Sequence, residues 1–156
     1  MSNRIRWGIL STAKIGTVQV IPAMQQGEHC EISAIASRTL DQAAQTAAEL
    51  GIPRAYGSYA ELLADPDIDA IHINTPIPLH GQQSIQALKA GKHVACEKPL
   101  AGTLDDARAM MQAALAADVE KVVYTSSIAA IGVAGKGALA KDLLEFVNMF
   151  WPAANS

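Results

Sequence analysis

Residues 5–16, Ile5-Arg6-Trp7-Gly8-Ile9-Leu10-Ser11-Thr12-Ala13-Lys14-Ile15-Gly16, decide the fold. Residues 5–10 are a short apolar run with β-compatible side chains, and Ser11-Thr12-Ala13 is a turn of small residues. From Ile15 apolar residues recur at Val18, Ile21 and Ala23/Met24, which is helical spacing that Pro22 is expected to break late. The same order then repeats along the chain. Residues 31–37 (EISAIAS) read as a second strand, and Thr39-Leu40-Asp41-Gln42 opens an Ala-rich helix that stops at Gly51, with Pro53 beyond. Ala55-Tyr56 form a short third strand, and Ser58 caps a helix through Leu63 that ends at Asp65-Pro66. Residues 70–74 are a fourth strand with His72 inside it, after which Thr75-Pro76-Ile77-Pro78 forces a loop. A helix over 80–90 ends at Gly91, a fifth strand covers 92–96, and Glu97-Lys98-Pro99 follows it. Thr103-x-x-Asp106 has the form of a capping box for a helix over 104–117. A sixth strand is predicted over 119–125, and Leu139, Leu143, Leu144, Phe146, Val147 and Phe150 make an apolar helical stripe in the tail.

Alternating strands and helices of this kind predict the α/β class, a three-layer, doubly wound, mostly parallel sheet of about six strands with helices on both faces. Right-handed crossovers then put the ligand crevice at the carboxyl ends of the strands. The 156 residues fit a single domain, 1–156, and suffice to bury roughly two-thirds of the extended chain's surface. With 50% of residues hydrophobic, the composition argues against disorder. A net charge of −3 argues against a nucleic-acid partner, which requires a clustered basic surface. No window reaches the roughly 20 apolar residues of a membrane span, and no apolar stretch of signal length follows Met1. Cys30 and Cys96 read as free thiols in a reducing cytoplasm. His29, His72 and His93 lack metal-ligand spacing, so no metal is expected.

Three strand exits carry chemistry. A dinucleotide fingerprint G-x-G-x-x-G uses small residues for a tight turn, for close approach of backbone N–H groups to a pyrophosphate, and for helix–strand packing. The corresponding positions here are Ser11, Ala13 and Gly16, of which only the third is glycine. Ser11 and Thr12 add hydroxyls, and the helix from Lys14 offers its positive end to an anion; an ordinary βα turn fits the same residues. After the second strand, the place of the acidic residue that binds a ribose 2′-OH is taken by Ser37-Arg38-Thr39. An arginine pairs a 2′-phosphate and stacks on adenine, which favours NADP over NAD, whereas a solvated surface arginine is the plain alternative. Lys98, at the end of the fifth strand, faces the crevice, where desolvation or a cationic neighbour tunes a lysine to relay protons. Glu97 is its expected partner, and a surface Lys–Glu pair before a proline turn is the alternative.

The segments RWGILSTAKIG, VIPAM, AIASR, GIPRAYGSYAELLADPDIDAIHINTPIPLH and ALKAGKHVACEKPLA, in this order and spacing, resemble the N-terminal domain of the glucose-fructose oxidoreductase/inositol dehydrogenase (Gfo/Idh/MocA) family over about residues 4–117. The EKP and TPxxxH segments are the specific ones. The resemblance implies a Rossmann domain that binds NADP(H) or NAD(H), with hydride transfer to or from a sugar-type hydroxyl, and many members carry the STA version of the loop. It implies that Ser11, Thr12, Ala13 and Ile15 line the pyrophosphate and that Ser37 and Arg38 take the 2′-phosphate. Thr75, Pro76 and His80 would lie along the nicotinamide side. Lys98 would assist proton transfer or orient substrate, with Glu97 its neighbour.

Family members continue into a C-terminal α/β domain that closes the substrate site and mediates oligomerisation. Residues 119–133, VEKVVYTSSIAAIGV, resemble instead a strand of the extended short-chain dehydrogenase/reductases, with Thr125, Ser126 and Ser127 as the hydroxyl candidates. The partner motif Tyr-x-x-x-Lys is absent, because no tyrosine follows Tyr124 and Gly137 stands four residues before Lys141. Residues 118–156 thus read as an atypical final strand and closing helix. The leading expectation is a truncated NADP(H)-binding domain with little or no turnover alone, its uncovered surface closed by the tail helix or by a homodimer. A truncated or recombined scaffold without ligand function is the alternative, and a small oxidoreductase completed by oligomerisation is a third.

Overall fold

In the computed structural model, which describes residues 4–120, five strands form one parallel sheet. They are β1 (Ile5–Leu10), β2 (Cys30–Ala36), β3 (Arg54–Tyr56), β4 (Ala70–Ile73) and β5 (His93–Cys96), in the order β3-β2-β1-β4-β5. Successive residues of β1 point to opposite faces and so divide two cores. Ile9 packs with Ile21, Ile32, Ile35, Ala47 and Ile52, and Leu10 packs with Ala34, Ala36, Leu62, Ile71, Ile73 and Ala87. Helices α1 (Ile21–Gln25) and α2 (Leu40–Leu50) cover the first face, and α3 (Tyr59–Leu63) and α4 (His80–Lys89) cover the second. Helix α5 (Leu104–Ala116) packs on α4. This is the three-layer, doubly wound Rossmann architecture. The strand order reverses between β1 and β4, which makes the carboxyl ends of those two strands the switch point where ligands bind in such sheets.

The local signals behave as their chemistry requires. Ser58 Oγ accepts from the Glu61 N–H at 3.2 Å and Thr103 Oγ1 from the Asp106 N–H at 3.1 Å, each capping its helix. Gly51 (φ 66°) and Gly91 (φ 73°) follow α2 and α4 in the left-handed conformation that suits glycine.

Pro22 does not break the first helix. A helical run over residues 14–25 passes through it by way of a π-helical segment, Gly16–Val20, in which the Ile21 N–H donates to the Gly16 carbonyl. The wider turn accommodates a residue that has no N–H to give and whose ring crowds the preceding turn. It also splits the expected apolar stripe. Ile21 is buried, whereas Ile15 and Val18 are 51% and 60% exposed.

At the amino end of the sheet, Arg6 donates to Asp69 through Nε at 3.0 Å and Nη2 at 2.7 Å. Those hydrogen bonds hold the Asp69 carboxyl at about 2, below its usual 3.8. A carboxylate shifted downward stabilises the fold above its unfolded value and loses that contribution as pH falls through the folded one. Arg6→Gln is therefore expected to be less stable than wild type at neutral pH, with the gap closing between pH 3.8 and about 2 in acid unfolding followed by circular dichroism.

Val119 and Glu120 are not in a strand. The remainder of the predicted sixth strand, Thr125, Ser126, Ser127 and the tail stripe from Leu139 to Phe150 lie outside the described residues. Among the described residues no helix is long and apolar enough to cross a membrane. Cys30 and Cys96 are free and partly buried.

Candidate dinucleotide site

The turn after β1 solves the glycine fingerprint in its own way. Ser11, in the place of the first glycine, has φ 93°, a conformation that costs a residue with a Cβ. Its N–H donates to the Ala36 carbonyl at 3.0 Å, tying the turn to β2, and its Oγ accepts from the Ala13 N–H at 3.1 Å. The N–H groups that open the following helical run have no carbonyl one turn back, so they form a site of positive potential for an anion. Gly16, the third fingerprint position, is buried against the end of β4, and a Cβ there would overlap the side-chain amide of Asn74. The tight turn and the close helix–strand contact are thus both present, the first through a serine and the second through a glycine. These features fit a pyrophosphate.

At the end of β2, Ser37 is buried, and its hydroxyl donates to Gln42 Oε1 of α2 at 2.8 Å. Arg38 beside it is exposed and makes no ion pair among the described residues. After the end of β2 the first carboxylate in sequence is Asp41, three residues past Arg38.

On the other side of the switch point, Thr75 is buried with its Oγ1 donating to Gln83 Oε1, while Pro76 is exposed. His80 is 1% exposed, with Nε2 2.8 Å from the Thr75 carbonyl and Nδ1 2.9 Å from the Pro99 carbonyl. Its ring therefore sits behind the turn rather than on the crevice surface. Lys98 is exposed and also makes no ion pair among the described residues, and the Lys98–Pro99 peptide bond is cis.

The expected Glu97–Lys98 pair does not form. Glu97 continues the face of β5 that carries Ala95, and Ala95 is the register partner of His72. Glu97 Oε1 accordingly lies 3.6 Å from His72 Nε2. Burial lowers the pKa of His72 against the opposing pull of Glu97, and its Nδ1 is buried without a partner, as suits a neutral ring. Burial likewise pushes the Cys96 thiol up to about 11, so it stays protonated at neutral pH.

Asn74, Gln42 and His72 were not singled out as site residues by sequence. A polar residue closing an apolar strand was the one available signal for Asn74, and Gln42 carried none.

The four exits lie at the carboxyl end of one parallel sheet, with the Ser11 turn and Arg38 on one side of the switch point and Thr75, Pro76 and Lys98 on the other. Residues 5–125 match an oxidoreductase family with an NAD-binding Rossmann fold, a span that runs past residue 117, where the resemblance read from sequence ends. A D-xylose 1-dehydrogenase (NADP(+)) of Haloferax volcanii is 51% identical over 104 residues, covering 67% of this chain and 32% of that protein. A 1,5-anhydro-D-fructose reductase of Ensifer adhaerens is 42% identical over 114 residues, covering 73% of this chain and 34% of that protein. Among solved structures, KijD10, a 3-ketoreductase from Actinomadura kijaniata in complex with NADP and TDP-benzene, superposes with a TM-score of 0.70 at 34% identity over 74% of this chain and 35% of that one. The chain spans about a third of the length of the relatives it matches. Fold, turn geometry and sequence match agree, and the chain belongs to the Gfo/Idh/MocA oxidoreductase family, whose NAD-binding Rossmann domain it contains.

Proposed function

We propose that the chain is the NADP(H)-binding domain of an oxidoreductase acting on sugar- or polyol-type substrates. The observation that carries the 2′-phosphate preference is Arg38, exposed and without an ion-pair partner among the described residues at the end of β2. Kinship to an NADP-dependent xylose dehydrogenase and to a reductase solved with NADP supports it. Ser11, Thr12, Ala13 and Ile15 would hold the pyrophosphate, the first by keeping the turn closed through its bond to Ala13. Ser37 would fix the Arg38 backbone through Gln42, and Arg38 would pair the 2′-phosphate. Thr75 and Pro76 would border the nicotinamide side. The bound dinucleotide supplies hydride chemistry. Lys98, exposed at the end of β5, would move a proton to or from the substrate oxygen, or orient that oxygen; Glu97 would act only through its own position beside His72.

The two-thirds of the relatives' length that this chain does not cover would supply the substrate half, so turnover by the 156-residue chain alone is expected to be small or nil. A homodimer through exposed Ile77, Leu79 and Leu104 would give those side chains cover. Two free thiols suit a reducing cytoplasm.

Amide chemical-shift mapping tests the site. NADPH is expected to move residues 11–16, 37–38 and 75 in wild type, and equally in Lys98→Ala, whose lysine serves chemistry rather than affinity. Shifts confined to the amino ends of the strands would overturn the assignment.

A further inference from the structure

Asn74, Thr75, His80, Gln83 and Ser84 are polar and buried, all at the carboxyl end of β4 or in the first turns of α4. Buried polar groups are expensive unless bonded, so such a cluster is retained for what its bonds hold in place. Thr75 Oγ1 bonds Gln83 within the cluster, and His80 is the member that faces the backbone of two different turns. Its two ring nitrogens face two carbonyl oxygens, which only accept, so a neutral ring donates to one of them and packs against the other, and a ring carrying both protons donates to both. One carbonyl, of Thr75, belongs to the turn after β4; the other, of Pro99, belongs to the turn after β5. The β4–β5 ladder ends at Ile73 and Cys96, with one further bond from the Glu97 N–H to the Ile73 carbonyl at 3.0 Å. Beyond that point His80 spans the gap between the two turns.

We propose that His80 is a positioning residue that clamps the Lys98–Pro99 turn to the Thr75–Pro76 turn, setting the spacing of the two segments that border the nicotinamide side without touching a ligand itself. The clamp is a property of the free chain, and its functional consequence rests on the NADP(H) reading above. The adenosine half, held by the β1 and β2 exits, is out of its reach.

Two measurements on the full chain test this. In amide hydrogen exchange, His80→Ala is expected to speed residues 97, 98, 100 and 101 about tenfold while leaving β1 and β2 at wild-type rates. In paired titrations, the same variant is expected to bind NADPH severalfold more weakly and adenosine 2′,5′-bisphosphate, which lacks the nicotinamide, with unchanged affinity. Unchanged exchange in the Lys98 turn, or equal weakening of both ligands, would overturn the clamp. If His80→Ala does not fold, His80→Asn keeps one amide donor and is expected to show intermediate exchange; wild-type rates in a folded His80→Asn would overturn a two-point clamp. A wild-type chain that binds neither nucleotide refutes the cofactor reading, and with it the functional role of His80, independently of the exchange result.

Discussion

Gly16→Ala is expected to lower the melting temperature by about 5 °C, since overpacking a close contact costs about 1–3 kcal/mol and each kcal/mol is worth about 2–4 °C in a chain of this size. The added methyl meets the Asn74 side-chain amide, which is itself buried and cannot swing into solvent. The π-helical segment that starts at Gly16 leaves little freedom to retreat, because Pro22 fixes the turn that follows. Asn74→Ala removes the obstacle. Its amide nitrogen has no partner, so that substitution alone should cost little, and Gly16→Ala in the Asn74→Ala background should recover most of the lost stability. A double-mutant cycle by thermal unfolding reads the coupling. Equal costs in the two backgrounds would show that Asn74 is not what excludes a side chain at position 16.

Arg38→Asp is expected to weaken NADPH binding about 100-fold, because a charge-assisted hydrogen bond worth about 1.5–3 kcal/mol is lost and a like charge is placed beside the 2′-phosphate. NADH should change far less, since an aspartate after β2 accepts from a ribose 2′-OH. The exposure of Arg38, with no ion pair among the described residues, means that its removal breaks no internal bridge there, so the melting temperature of the free chain should stay near wild type. Paired titrations of the variant with NADPH and NADH check this. Equal loss for both cofactors would place the 2′-phosphate elsewhere.

Features set by a few neighbouring residues were legible in the sequence. β1 spans the residues expected of it, Ser58 and Thr103 cap their helices, and Gly51 and Gly91 end theirs, because each depends on the intrinsic preferences of one or two side chains. The strand exits at Ser11, Ser37, Thr75 and Glu97 followed from the same logic. Features set by distant partners were not legible. Pro22 reads as a helix breaker until the π-turn over Gly16–Val20 is seen to absorb it. Glu97 and Lys98 are adjacent in sequence, but strand alternation sends Glu97 toward His72, 25 positions earlier. The TPxxxH pattern placed His80 near the nicotinamide side; only the approach of the Pro99 carbonyl from another turn shows that its ring is spent on the backbone.

Calorimetric titration of the wild-type chain with NADPH and, separately, NADH addresses the proposed cofactor site most directly. Saturable one-to-one binding of NADPH, tighter than that of NADH, is the predicted result. No saturable heat at millimolar NADPH, or tighter binding of NADH, would contradict an NADP(H) site built on the Ser11 turn and Arg38.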